Sequence, residues 1–333
     1  IYLKKKGIYR ITLKDLVDAG ITPYGSIQQG KFELINNGKP VPIDIVDVNQ
    51  NGLFDSSDYF QFIGLPPTPH NQYTYYNIYN NHNVYWFSYQ ADSVITYKKK
   101  DGYPTNFDFL LTSTVETLHY ENDYMYEPLG YAKNDKRDFW YWDRAEAQNG
   151  SPTYIFTEWI KDSIAYVINR SKPQINFRAN LHGMTTGSCN FGHSVFVKVN
   201  TKTIGTIKWN GSESANFSKT IFAGNSILGD SVIIYVDSNK IEIGCDGDVC
   251  TTKKDDVIRV NWFEIDYWRY NKVQGNYYNF KSPPNELFDN LYYLYRWEGN
   301  DMKIYIPQKG EIISNPYFAN DADQSVLFTD TIQ

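Results

Sequence analysis

Residues 47–59 read DVNQNGLFDSSDY, and their spacing is that of a calcium-binding loop. A hard cation such as calcium takes about six to eight oxygen ligands, which a twelve-residue loop supplies from positions 1, 3, 5, 7, 9 and 12. Counted from Asp47, those positions are Asp47, Asn49, Asn51, the carbonyl of Leu53, Asp55 and Asp58. Gly52 falls on position 6, where the chain must turn sharply. Two inner ligands are neutral Asn, and Asp58 replaces the longer Glu of sensor loops, so the expected affinity is modest. A Ca2+ ion here would be structural, crosslinking the loop and adding its binding energy to folding. The alternative is an Asx-rich polar turn that holds no ion.

Other stretches carry chemistry-bearing residues with less order. His119, Glu121 and Asp123 share one face at strand spacing, which suits a metal, acid–base work or a mixed-charge surface strand. His182, Cys189 and His193 look like the Cys–His pair of a caspase-type peptidase. In such enzymes the two residues end different strands and lie tens of residues apart, so the close spacing here argues against catalysis. Trp140 and Trp142, on one face of a strand, suit either a glycan platform or the edge of a core. Cys245 and Cys250 enclose DGDV, which is compatible with a small disulfide loop. A zinc site would need further Cys or His partners, and none lie in sequence reach.

The elements that must position these residues are strands. With 29 Tyr, 19 Phe and 8 Trp, the composition favours pleated, half-buried surfaces. GIYRITLKDLVDAGI predicts a strand and a short helix with Thr12 as N-cap and Gly20 as stop. KFELINNGKPVPIDIVD predicts a hairpin turning at Asn36-Asn37-Gly38. QINFRANLHG, SVFVKVNTKTIGTIKW, SVIIYVDSNKIEIG and VIRVNWFEIDYWRY alternate with period two, and TYIFTEWIKDSIAYVI reads as strand from its Tyr, Ile and Val. These predict an all-β, multi-domain chain with a small N-terminal β-rich domain (1–104), a central jelly-roll-like β-sandwich (105–272) and the start of a further β domain (273–333).

Composition also excludes. A net charge of −6 with no basic stripe argues against a nucleic-acid partner. No run of apolar residues is long enough for a membrane span. The chain opens at Ile1 with no signal peptide, which reads as a processing boundary with any targeting signal removed.

Taken in order, GIYRITLKDLVDAGI, FELINNGKPVPI, NGLFDSSDYFQFIG, LHYENDYMY, HSVFVKVNTKTIGTIKWNG and VNWFEIDYWR resemble the region ahead of the catalytic domain in gingipain-like cysteine peptidases. The nearest resemblance is to PorU-type sortases of the Bacteroidetes type IX secretion system. In that family the catalytic Cys and His lie in a following α/β domain, and no stretch of this chain matches one. The resemblance therefore implies a non-enzymatic region of a secreted or outer-membrane-associated bacterial protein. Its partner would be a downstream peptidase domain of the same chain, with secretion-system proteins or glycans as further partners. Asp-Ser or Asp-Thr followed by an aliphatic residue recurs at Ser93, Ser163, Ser231 and Thr331, which resembles Bacteroidetes O-glycosylation sites. The alternative function is a calcium-containing carbohydrate-binding module, with Trp140 and Trp142 as sugar contacts.

Overall fold

The computed structural model describes residues 1–21, 27–69, 74–77, 79–105, 110–127, 138–146, 174–185, 192–199, 202–222, 232–236, 241–246, 249–254, 256–273, 278–280, 290–294, 302–320 and 324–330. Apart from the helix Leu13–Asp18 and one 3-10 turn, the regular structure among them is β, as the alternating pattern requires. The stretch TYIFTEWIKDSIAYVI lies outside the described residues. Two compact units emerge: Ile1–Thr112 with Lys272–Asn279 and Asn285–Gln333, and Ser113–Asn271 with Phe280–Pro284.

In the first unit, local sequence rules set the local structure. Thr12 caps the helix, its hydroxyl accepting from the Asp15 N–H while the Asp15 carboxylate accepts from the Thr12 N–H. Asn37 and Gly38 both take positive φ and connect Asn36 to Lys39, its cross-strand partner, as a primed hairpin turn demands. The strand Tyr59–Gly64 is flanked by Gly7–Thr12 and Asp44–Val46, both antiparallel to it. Its Phe60 and Phe62 are fully buried with Phe32, Leu34, Phe54 and Tyr85. Each such ring contributes about 1.5–3 kcal/mol by leaving water.

The C-terminal piece corrects the expected domain boundaries. Residues 273–333 do not begin a separate domain: Glu311–Ser314 runs parallel to Lys98–Asp101, and Ile304–Ile306 pairs with Glu311–Ser314. Tyr305 and Lys303 both reach Asp44, at 3.1 and 2.5 Å. These strands complete the first unit. Pairing over more than two hundred residues leaves no trace in local periodicity, which is why sequence spacing alone divides the chain there.

The second unit is a β-sandwich. One sheet runs Ser113–Glu121, Val257–Tyr270, Gln174–Gly183, Ser214–Phe222, with Asp143–Glu146 pairing the first residues of Val257–Tyr270. The other runs Lys202–Trp209, His193–Val199, Val232–Val236. All these pairings are antiparallel. Phe177, Ala179, Phe217, Phe263, Ile265 and Tyr267 from the first sheet meet Val197 and Ile204 from the second in one core. Alternation then sends Arg178, Thr117, His119, Glu264 and Asp266 to the opposite, outer face.

Candidate functional site

The loop 47–58 folds around its own carboxylates. Gly52 has φ +75°, in the left-handed region that position 6 requires and a side chain would strain. Asp47 accepts from the N–H of Asn51 at 3.2 Å and of Gly52 at 2.8 Å. Asp58, 1% exposed, accepts from the N–H groups of Val48 at 2.8 Å and Asp55 at 2.9 Å, tying the start of the loop to its end. The Ser57 hydroxyl and N–H, then the Asn49 amide, donate to Asp55 and hold its carboxyl at about 2.

The donor types fit a hard cation, with two adjustments. Asn49 and Asn51 turn their amide nitrogens to Asp55, so an ion would replace those hydrogen bonds and take the amide oxygens instead. The Leu53 carbonyl accepts from Gln29 Nε2 at 2.8 Å and keeps a second lone pair. Among the described residues, no three His, Cys, Asp or Glu side chains come together tightly enough to hold a metal on their own. Amide and carbonyl oxygens would have to complete any shell.

On the outer face of the sandwich, residues far apart in sequence form one polar ladder. His119 Nδ1 lies 2.9 Å from Glu264 Oε1, and its Nε2 lies 2.7 Å from Glu121 Oε2. Arg178 Nε donates to Glu264 at 2.9 Å, and its two terminal nitrogens donate to Asp266 at 2.5 and 2.9 Å. Thr117 donates to Asp266 at 2.8 Å. The hydrogen bonds to Asp266 and Glu264 push the Arg178 pKa above its usual value against the opposing effect of burial. Burial raises Asp266, but the hydrogen bonds of Arg178 and Thr117 outweigh it and leave the carboxyl below its usual range.

Glu121 has a different environment. Burial pushes its carboxyl up to about 7; the His119 hydrogen bond opposes this, and Asp123 and Asp138 push further up. Asp123 rises to about 6, from burial and then from Asp138. The sequence singled out His119, Glu121 and Asp123 but missed Glu264, Arg178 and Asp266. Their only signal was the acidic side chains at alternate positions of FEIDY, which show a polar face without showing its partners.

The remaining candidates fall into place one by one. His119 engages carboxylates with both ring nitrogens and its side chain is 6% exposed, a poor arrangement for taking a proton from a substrate. His193 is fully buried, with Nδ1 2.7 Å from Asp256 and Nε2 3.0 Å from the Gly211 carbonyl. The Gly183 backbone lies against this ring with no room for a side chain. His182 is also fully buried and meets Ser214 Oγ at 3.0 Å. Cys189 lies outside the described residues. Trp142 does not share an exposed platform with Trp140: the chain bends at 142, and Trp142, 8% exposed, stacks on Phe263 in the core. Trp140 is half-buried against Tyr126. Cys245 and Cys250 are direct cross-strand backbone partners, with side chains outside the described set. Ser93 is exposed, and Ser163, Ser231 and Thr331 lie outside the described residues.

No family model matches the chain, and no curated protein sequence does. In fold it is similar to dimeric latent PorU from Porphyromonas gingivalis, with TM-score 0.62 and 12% identity over 99% of this chain. The match spans only 30% of the PorU chain. The carbohydrate-binding module CBM36 in complex with calcium and xylotriose matches 37% of this chain and 98% of its own, with 14% identity and TM-score 0.18. Among the described residues no helix is long and apolar enough to cross a membrane.

Proposed function

We propose that this chain is the non-catalytic N-terminal region of a secreted gingipain-like, PorU-like peptidase, supporting or positioning the catalytic domain or its substrate. The observation that carries the reading is the likeness in fold to PorU along 99% of this chain but only 30% of that one. A protein of that length has room for chemistry elsewhere. The engaged ring nitrogens of His119 and His193 add support, since a support region needs no exposed general base. On this reading the parent is a bacterial protein of the type IX secretion class, secreted or held at the outer membrane. Structural Ca2+ in the 47–58 loop, on Asp47, Asn49, Asn51, Leu53, Asp55 and Asp58, stiffens the first unit.

The test compares this chain with the longer native protein on a broad panel of peptidase and glycosidase substrates. Turnover by the native protein alone is the expected result. Turnover by the isolated chain that disappears in Glu121→Gln would overturn the reading.

A further inference from the structure

Three oxygen acceptors on the outer face of the sandwich are buried with nothing to accept from: Glu121 Oε1, Asp123 Oδ1 and Asn261 Oδ1. Glu121 is 5% exposed and Asn261 3%. The topology gathers them. Glu121 pairs with Trp262, and Asn261 immediately precedes it at a bulge, where Asn180 faces Trp262 and Leu181 already faces Val260. Asp123 follows Glu121 by two residues, just beyond the end of the strand.

Buried acceptors pay the cost of losing water unless a partner replaces it, and folded proteins pair nearly all of them. The nearby side-chain donors do not satisfy these oxygens: His119 Nε2 meets the other oxygen of Glu121, and the Asn261 amide donates to Asn180 Oδ1 at 3.2 Å. Arg259, two residues before Asn261, pairs with Glu127 through one terminal nitrogen, while its Nε and other terminal nitrogen are themselves buried without a hydrogen-bond partner and so bond none of the three oxygens. Two carboxylates and an amide oxygen are hard donors of net negative charge, the set a hard divalent cation takes with backbone carbonyls or water completing the shell.

We propose that Glu121, Asp123 and Asn261 form a second calcium-type cation site, at the end of the Ser113–Glu121 strand and separate from the 47–58 loop. The two carboxylates supply charge and anchoring, and Asn261, held at the bulge by Asn180, supplies a neutral oxygen. Ion binding there fastens the segment after Glu121 to the long strand Val257–Tyr270.

The experiment uses the whole chain with its loop disabled by Asp47→Ala and Asp55→Ala, so that the fate of the loop site cannot decide the outcome. Calcium is counted by native mass spectrometry, and terbium is titrated with excitation of Trp262 and its neighbours. One retained ion, lost in Glu121→Gln/Asp123→Asn and bound about tenfold more weakly in Asn261→Ala, is the expected result. If the double variant does not fold, Asn261→Asp replaces it: the added charge should tighten binding severalfold. No ion at millimolar calcium overturns the proposal, as does retention of the ion in the double variant or unchanged or weaker binding in Asn261→Asp.

Discussion

The loop 47–58 and the Glu121 cluster are both acidic, yet they are built in opposite ways. In the loop, both oxygens of Asp47, Asp55 and Asp58 accept hydrogen bonds, and every donor comes from residues 48–57. In the cluster, the carboxylates stand at the end of one strand, Glu121 meets His119 two residues back while the backbone beside it belongs to a strand more than a hundred residues away, and Glu121 and Asp123 each keep an oxygen without a donor. A turn can satisfy its own anions because backbone N–H groups are close at hand. A sheet cannot, since its N–H groups are spent on the ladder. Acidic side chains buried on a sheet therefore depend on side chains, ions or protons from elsewhere.

That contrast can be broken or sharpened by substitution. The largest effect is expected from Trp142→Ala, which removes the ring stacked on Phe263 under the sheet that carries the cluster. It should cost the sandwich about 3–5 kcal/mol by urea denaturation. Trp140→Ala, at a half-buried position, should cost about 1 kcal/mol or less. Equal losses would show that the two rings share one environment after all. Next comes Asp58→Ala, which strips the acceptor from the Val48 and Asp55 N–H groups and should cost about 1–3 kcal/mol even in chelator. No loss there would mean that the loop does not depend on its own hydrogen bonds.

The third test is pH dependence, measured in chelator. Glu121 rises to about 7 from 4.5 and Asp123 to about 6 from 3.8, so between those limits the folded chain holds more protons than the unfolded one. Stability contributed by these groups is then greatest below about pH 4 and falls as pH rises to about 7. The neutral Glu121→Gln should flatten this slope and melt higher than the parent at pH 8. A parent slope that rises over this range would contradict the assignment. The smallest effect is at Asp47. Without calcium, Asp47→Ala should change the melting temperature little; with calcium, the parent should gain stability that the variant does not. Equal gains in both would remove the ion from the loop.

The same contrast explains what the sequence made legible. The loop, the Asn37-Gly38 turn and the Thr12 cap are encoded within a few residues each, and their spacing alone placed them. Period two identified the sandwich strands, because inward Phe177, Ala179, Phe263 and Ile265 alternate with outward Arg178, Glu264 and Asp266. Which strand lies beside which is not local information. So His119 gave no hint of Glu264 or Arg178, and the pairing of Lys98–Asp101 with Glu311–Ser314 stayed hidden. For Trp142 the structure takes the core alternative over the glycan platform; only its sharing a face with Trp140 was misread, because period two assumes an unbroken strand and the chain bends there.

The reading of the chain as the support region of a larger peptidase is tested most directly by peptide mapping of the native protein from its source. The account predicts peptides that continue beyond Gln333 into a domain with well-separated Cys and His at strand ends. A native chain that ends at Gln333 would contradict it.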